Sequence, residues 1–214
     1  RVMAWILHGI CDVQGPMVAR SIPCEGAGEL IHPDFGLLSE ITRAIHNGHA
    51  LQISYLSLSS GAAKKTIVPV ALADNGQRWH LRAYDRQRTR FADFVLTRID
   101  KVRALDELAA SHERIQADAQ WNQRIELRML PHPGLKHPEA VVADYRMKNG
   151  MVTLNVSAAL AGYTLRRWAV DCSPGHSLDC ARHHLCLADR SVLDGVDSAV
   201  LAPGFVVTDG VAAP

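Results

Sequence analysis

The sequence predicts an α+β protein in which one amphipathic helix leads into a small closed β-barrel and a smaller α/β unit follows. Three observations predict it. Leu37, Leu38, Ile41, Ala44 and Ile45 recur at helical spacing behind Asp34. Short runs of strand character then follow one another from residue 51 to residue 99, broken by turn residues. Beyond residue 105 the pattern changes to alternating strand and helix signals.

The first helix opens at Asp34, a residue that caps helices well, and stops at Asn47-Gly48. Leu51, Ile53 and Tyr55 alternate with Gln52 and Ser54, the period of a half-buried strand, and Ser59-Ser60-Gly61 turns the chain. Thr66 to Ala73 is a second apolar run, and Pro69 within it predicts an edge or a bulge. Asp74-Asn75-Gly76 predicts a hairpin, since Asn-Gly accepts the positive φ angles of a tight primed turn. Gln77–Tyr84 is the return strand and 90–99 another. Leu105, Leu108, Ala109, His112 and Ile115 then fit a helix. Ile125, Leu127 and Met129 read as a strand, and Pro138 as the first residue of a helix reaching about Met147. Asn149-Gly150 is a turn, Met151–Val156 a strand, and Ser157 the cap of a helix carrying Leu160, Tyr163, Thr164 and Trp168. This places a connector over 1–33, a barrel over 34–105, an α/β extension over 106–188 and a loosely held or partner-docking tail over 189–214.

Composition narrows the function. Of 214 residues 48% are hydrophobic, so a real core forms. The formal net charge of +1 excludes a uniformly basic nucleic-acid surface but leaves room for a local patch. Five cysteines, an odd number, fit a reducing cytosol better than a disulfide scaffold. The apolar stretch Val2–Leu7 is too short to span a bilayer, so no membrane association is expected. The chain starts at Arg1, which is expected of a piece of a longer protein.

The residues that carry chemistry centre on Arg78-Trp79-His80-Leu81-Arg82. On a strand, side chains alternate faces. Trp79, Leu81 and Ala83 are thus expected in the core, while His80, Arg82 and Tyr84 share the other face. Seven arginines and one lysine lie between Arg78 and Arg103, against three aspartates. Guanidinium forks read phosphates or carboxylates bidentately, and neighbouring Tyr84, Phe91 and Phe94 offer stacking surfaces. The plainer alternative is a solvated, charge-mixed sheet face.

The ordered set Leu51–Ser57, Thr66–Pro69, Arg78–Tyr84 and Phe94–Ile99 resembles a WYL domain, with His80 where the family's naming triplet has Tyr. Ile125–Arg128, Pro131-His132-Pro133 and Tyr163–Trp168 resemble the C-terminal extension of the phage-defence-associated (BREX and CBASS) repressors in that family. The resemblance implies an Sm/SH3-like barrel, no enzymatic activity and no cofactor. It implies a cytoplasmic homodimer that senses a nucleotide or nucleic-acid fragment, with operator DNA read by an N-terminal winged helix-turn-helix outside this chain. It implies a ligand pocket from Tyr55, Ser57, Lys65, His80, Arg82 and Arg98, to which the strand face and the basic run add Tyr84 and Arg90, with Trp79 and Phe94 more often core.

Two other readings stay open. A stand-alone Sm-like oligonucleotide-binding module would carry the same pocket. Cys172, His176, Cys180, His183 and Cys186 are zinc-type ligands within fifteen residues, yet their spacing matches no standard zinc pattern.

Overall fold

A computed structural model describes residues 33–206, which form a mixed α+β fold with two sheets. Helix α1 (Phe35–Asn47) begins as expected: the Asp34 carboxylate accepts a hydrogen bond from Leu37 N at 2.8 Å, and Gly48 ends the helix at φ 68°. The first sheet comprises β1 (His49–Ser57), β2 (Gly61–Asp74), β3 (Trp79–Asp85), β4 (Arg90–Val95) and β5 (Ile99–Leu108). A single 3-10 turn, Leu96–Arg98, separates the last two.

The strand order is β4-β3-β2-β1-β5, so the expected closed barrel is an open sheet. β5 pairs with β1, and β4 pairs only with β3. Pro69 sits at a register shift in the β2–β3 pairing, the bulge its missing N–H favours. The hairpin at Asn75-Gly76 is present, but only Gly76 takes a positive φ. Asp74 pairs with Trp79, and the Asn75 side chain closes a four-residue turn by accepting from Gln77 N and Arg78 N, both at 2.9 Å. The primed two-residue turn is therefore replaced by an Asx-stabilised one.

The helix expected from Leu105 to Ile115 is absent. Its first half is the end of β5, and the remainder is two 3-10 turns at Ser111–Glu113 and Ile115–Ala117. The short helix α2 (Ala119–Asn122), capped by Asp118, leads into β6 (Arg124–Pro131). There follow α3 (Pro138–Asp144), β7 (Val152–Ser157), α4 (Ala158–Arg167), β8 (Val170–Asp171) and β9 (Leu185–Leu187). The second sheet has the order β7-β6-β9-β8. Ser157 occupies the cap position of α4, yet its hydroxyl donates to Gln120 O at 3.1 Å.

Each sheet has its own core. Ile41 and Ala44 of α1 pack on Leu51, Ile53, Ile67, Leu81 and Phe94. Leu127 and Met129 pack with Ala161 and Leu165 of α4 and with Leu185 and Leu187. The tail expected to be loosely held or to dock on a partner packs into this second core as far as Phe205: Leu193, Val196, Ala199 and Ala202 are buried in it. Gly162 makes this possible, since a Cβ there would stand 1.7 Å from Ser198 O. Ser198 inserts its hydroxyl into the helix ladder, accepting from Gly162 N at 2.9 Å and donating to Ala158 O at 2.7 Å. The connector expected over 1–33, with Cys11 and Cys24, and the tail beyond 206 lie outside the described residues, save Pro33. No helix among the described residues is long and apolar enough to cross a membrane.

Candidate functional site

Strand β3 positions the site. Leu81 and Ala83 are fully buried in the first core, as the face argument requires. Trp79 is not: it forms the last β2–β3 pair, opposite Asp74, and is 38% exposed. On the other face His80 and Arg82 are 6% and 4% exposed. That face is covered as well, by residues from beyond the first sheet.

The cover is a charged network. Arg82 Nε and Nη2 donate to the Asp118 carboxylate at 2.7 and 3.0 Å, the bidentate fork of a strong ion pair. Arg82 Nη1 donates to Asp93 Oδ1 at 3.2 Å, and Tyr163 Oη donates to Asp93 Oδ2 at 3.1 Å. Asp118 also accepts from Trp121 N at 3.1 Å as the cap of α2. Burial works against the Arg82 charge, but Asp118 and Asp93 more than offset it and raise its pKa. Burial, reinforced by the Asp93 charge, pushes the Tyr163 hydroxyl far above its usual range, so it remains a donor. His80 lies with its ring 5.0 Å from that of Tyr163. Burial lowers its pKa and the charges of Arg78 and Arg98 lower it further, against an opposing pull from Asp93. The imidazole is thus neutral at pH 7.

The other expected pocket residues are divided. Tyr55 is buried, accepts from Val95 N at 3.3 Å and meets the Phe94 ring edge-on at 5.1 Å. Ser57 closes the β1–β2 turn, accepting from Ser59 N and Ser60 N. Lys65 is tied to buried Asp85 at 2.7 Å, so its charge is already matched. Tyr84 is half-buried against Phe91 and His112. Arg98 is half-buried beside His80. Arg90 is exposed and, with Arg82, Phe91, Asp93 and Tyr163, lines a cleft of about 1020 Å³ whose far wall is the 193–201 segment. That wall brings Asp194 and Asp197, so the cleft is not a purely cationic one.

The basic run is thus partly neutralised. Arg82 is paired as above, and Arg86 pairs with Glu113 at 2.7 Å and with Glu107. Among the described residues Arg78, Arg88, Arg90 and Arg98 have no carboxylate within 4.0 Å. Of these, the charges of Arg78 and Arg98 act on His80 and lower its pKa. Sequence reasoning missed Asp118 and Tyr163. The one available signal was weak: Asp118 precedes Ala119-Gln120-Trp121 as a cap precedes a helix.

The zinc-type residues do not assemble. No group of three or more His, Cys, Asp or Glu among the described residues could hold a metal ion. Cys172 and Cys186 are buried with thiols pushed up to about 12 and about 11, first by burial and then by the Asp171 charge. His183 Nδ1 bonds to Ala169 O at 2.8 Å, Cys180 leans on Gly134 O at 3.4 Å, and His176 faces His132 with ring centroids 6.4 Å apart.

Comparison with known proteins follows the two sheets. Residues 36–104 match the WYL domain, and residues 124–193 match the BrxR transcriptional regulator, C-terminal dimerization domain. The DNA-binding transcriptional repressor CapW of Escherichia coli (strain KTE188) is 33% identical over 135 residues, covering 62% of this chain and 44% of that protein. CapW of Stenotrophomonas maltophilia is 32% identical over 132 residues, covering 60% of this chain and 44% of that protein. CapW of Pseudomonas aeruginosa is 31% identical over 132 residues, covering 60% and 43%. The chain therefore spans less than half the length of these relatives. Among solved structures, proteasome accessory factor B/C (PafBC) of Arthrobacter aurescens aligns with a TM-score of 0.36 at 14% identity, over 82% of this chain and 28% of that one. A CRISPR Cas-related protein aligns with a TM-score of 0.37 at 7% identity, over 77% and 49%. Both likenesses are too low to bear on function.

Proposed function

We propose that this chain, a WYL-domain protein related to the CapW repressors, is the signal-sensing and self-associating part of a homodimeric transcriptional repressor of a phage-defence operon. Its signal is a nucleotide or nucleic-acid fragment, and operator DNA is read by another part of the regulator. The relatives are named as repressors and not as enzymes.

The observation that carries this reading is the Arg82 network. It ties β3 and β4, in the region matching the WYL domain, to Asp118 and to Tyr163, the latter in the region matching the dimerization domain. A change at the sheet face is thereby felt at the dimerizing unit. Phosphate recognition falls to Arg78 and Arg98 around His80, since the charges of Lys65 and Arg82 are already matched. A phosphate held there lies beside Asp93 and alters the balance of charges that holds Arg82. It shifts the regulator only by as much as it binds one state better than the other.

The test is a thermal-shift series with short single-stranded DNA, short RNA and mononucleotides, on the purified chain and on Arg78→Ala and Arg98→Ala. A ligand present at one hundred times its Kd adds about 2.7 kcal/mol of stability, on the order of 5–10 °C in Tm for a chain of this size. The rise is expected in the parent and reduced in both variants, with light scattering still reporting a dimer. No shift with any probe, or an unchanged shift in both variants, sinks the assignment.

A further inference from the structure

A second groove is lined by residues of the C-terminal unit. It has a volume of about 390 Å³ and is lined by Tyr145, Arg167, Trp168, Arg182 and His184, with backbone from Ala169. The size falls at the lower end of small-molecule sites.

Its walls carry two kinds of group. Tyr145 and Trp168 are half-buried, with ring centroids 5.4 Å apart and planes inclined by 34°. They pack against each other and give the groove an aromatic wall. Arg167 and Arg182 are exposed, and among the described residues neither guanidinium has a carboxylate within 4.0 Å or a hydrogen-bonding partner. Some arginines of the same unit are engaged: Arg124 donates to Asn155, Arg128 lies beside Glu126, and Arg190 donates to Cys172 O. Arg167 and Arg182 are the two arginines that border the groove.

The groove is held by its backbone. Ala169 follows α4 at φ 49°, a costly angle for a residue with a Cβ, and its carbonyl is fixed by His183 Nδ1 at 2.8 Å. Arg167 lies against Gly76, where a Cβ would stand 2.4 Å from its Cζ. The base of the groove is thus in contact with the β2–β3 turn of the first sheet.

We infer that this groove is a binding site for a phosphate monoester attached to a planar ring, as in a nucleoside 5′-monophosphate. The ring stacks on Trp168 and Tyr145, and the phosphate takes the guanidinium forks of Arg167 and Arg182, with His184 offering a further nitrogen. The lining residues differ from those of the Arg78–Arg98 face, although Arg167 touches the β2–β3 turn that leads into Arg78. The same chemistry is offered by a free mononucleotide and by the 5′-phosphorylated end of an oligonucleotide.

The experiment titrates the purified chain with adenosine and guanosine 5′-monophosphate, a 5′-phosphorylated dinucleotide and inorganic phosphate, following tryptophan fluorescence and calorimetric heat. Saturable binding with quenching is expected for the ring-bearing ligands, and whichever binds tighter identifies the source. Trp168→Phe is expected to abolish the quench. Arg182→Ala, at an exposed position, is expected to weaken binding at least tenfold. Arg98→Ala is expected to leave it unchanged. No saturation at millimolar ligand, inorganic phosphate binding as tightly as the nucleotides, or wild-type affinity in Arg182→Ala overturns the inference.

Discussion

Removing the Arg82 guanidinium should be among the most damaging single changes on the sheet face. Arg82→Met keeps the length of the stem but takes away three donors, two to Asp118 and one to Asp93. The two carboxylates are left in different positions. The Asp93 side chain is 16% exposed and keeps Tyr163 as a donor, so water compensates part of the loss. The Asp118 side chain is 1% exposed and keeps only Trp121 N. Stranding one charge of a buried pair costs about 3–5 kcal/mol, and the stranded Asp118 places Arg82→Met in that range. Asp118→Asn should cost less, about 2 kcal/mol, because Arg82 retains Asp93 and the cap to Trp121 survives. The double variant should be no less stable than Arg82→Met alone, since the uncompensated charge is gone. Urea unfolding followed by circular dichroism measures all three, with an unchanged m-value confirming that the same surface unfolds. A loss below about 1 kcal/mol for Arg82→Met, or strict additivity in the double variant, would refute the claim that this network is a coupled, desolvated unit.

Two further perturbations test the frame around it. Gly162→Ala puts a Cβ 1.7 Å from the Ser198 carbonyl oxygen, a backbone atom that cannot swing aside; it should cost about 3 kcal/mol and open the 193–201 segment, read as protease sensitivity there. His80 has a folded pKa below its unfolded value, chiefly from burial, so its neutral form is favoured by the fold. Stability from this group is complete above the unfolded value of about 6.5 and declines as pH falls below it, so Tm measured from pH 7.5 to pH 5.5 should fall more steeply in the parent than in His80→Phe.

Local features of the fold were legible because local chemistry sets them. Asp34 caps α1 and Gly48 ends it wherever the helix packs. Pro69 forces a bulge because it lacks an N–H. The helix expected over 105–115 failed for a traceable reason. The β1–β5 pairing shifts register between His49 and Leu51, opposite Leu108 and Ala104. Such a bulge breaks the period of two and leaves Leu105, Leu108 and Ala109 at a spacing that imitates a helix. Barrel closure was illegible because it requires β4 and β5 to pair, a matter of sheet curvature and not of either strand's sequence. At the site, period two correctly set His80 and Arg82 opposite Leu81 and Ala83. It could not say what covers them, since Asp118 and Tyr163 are 36 and 81 positions from Arg82 along the chain.

The same distance explains why a count of charges along the chain overstates the ligand site. The run from Arg78 to Arg103 is rich in cations, but its most buried one is matched by an aspartate from beyond the first sheet. A buried, matched Arg82 is a better coupling element than a free one. Holding an equilibrium at 1:99 and moving it to 99:1 takes about 5.5 kcal/mol of differential binding. A phosphate held by two arginines gains about 1.5–3 kcal/mol from each charge-assisted contact. Rupture of the Arg82–Asp118 pair, at about 3–5 kcal/mol, is of that same size. On the proposed reading, a ligand at Arg78 and Arg98 would therefore drive the network between two arrangements without needing to overwhelm it. Had Arg82 been solvent-exposed, its ion pair would be worth at most about 1 kcal/mol, too little to transmit such a shift.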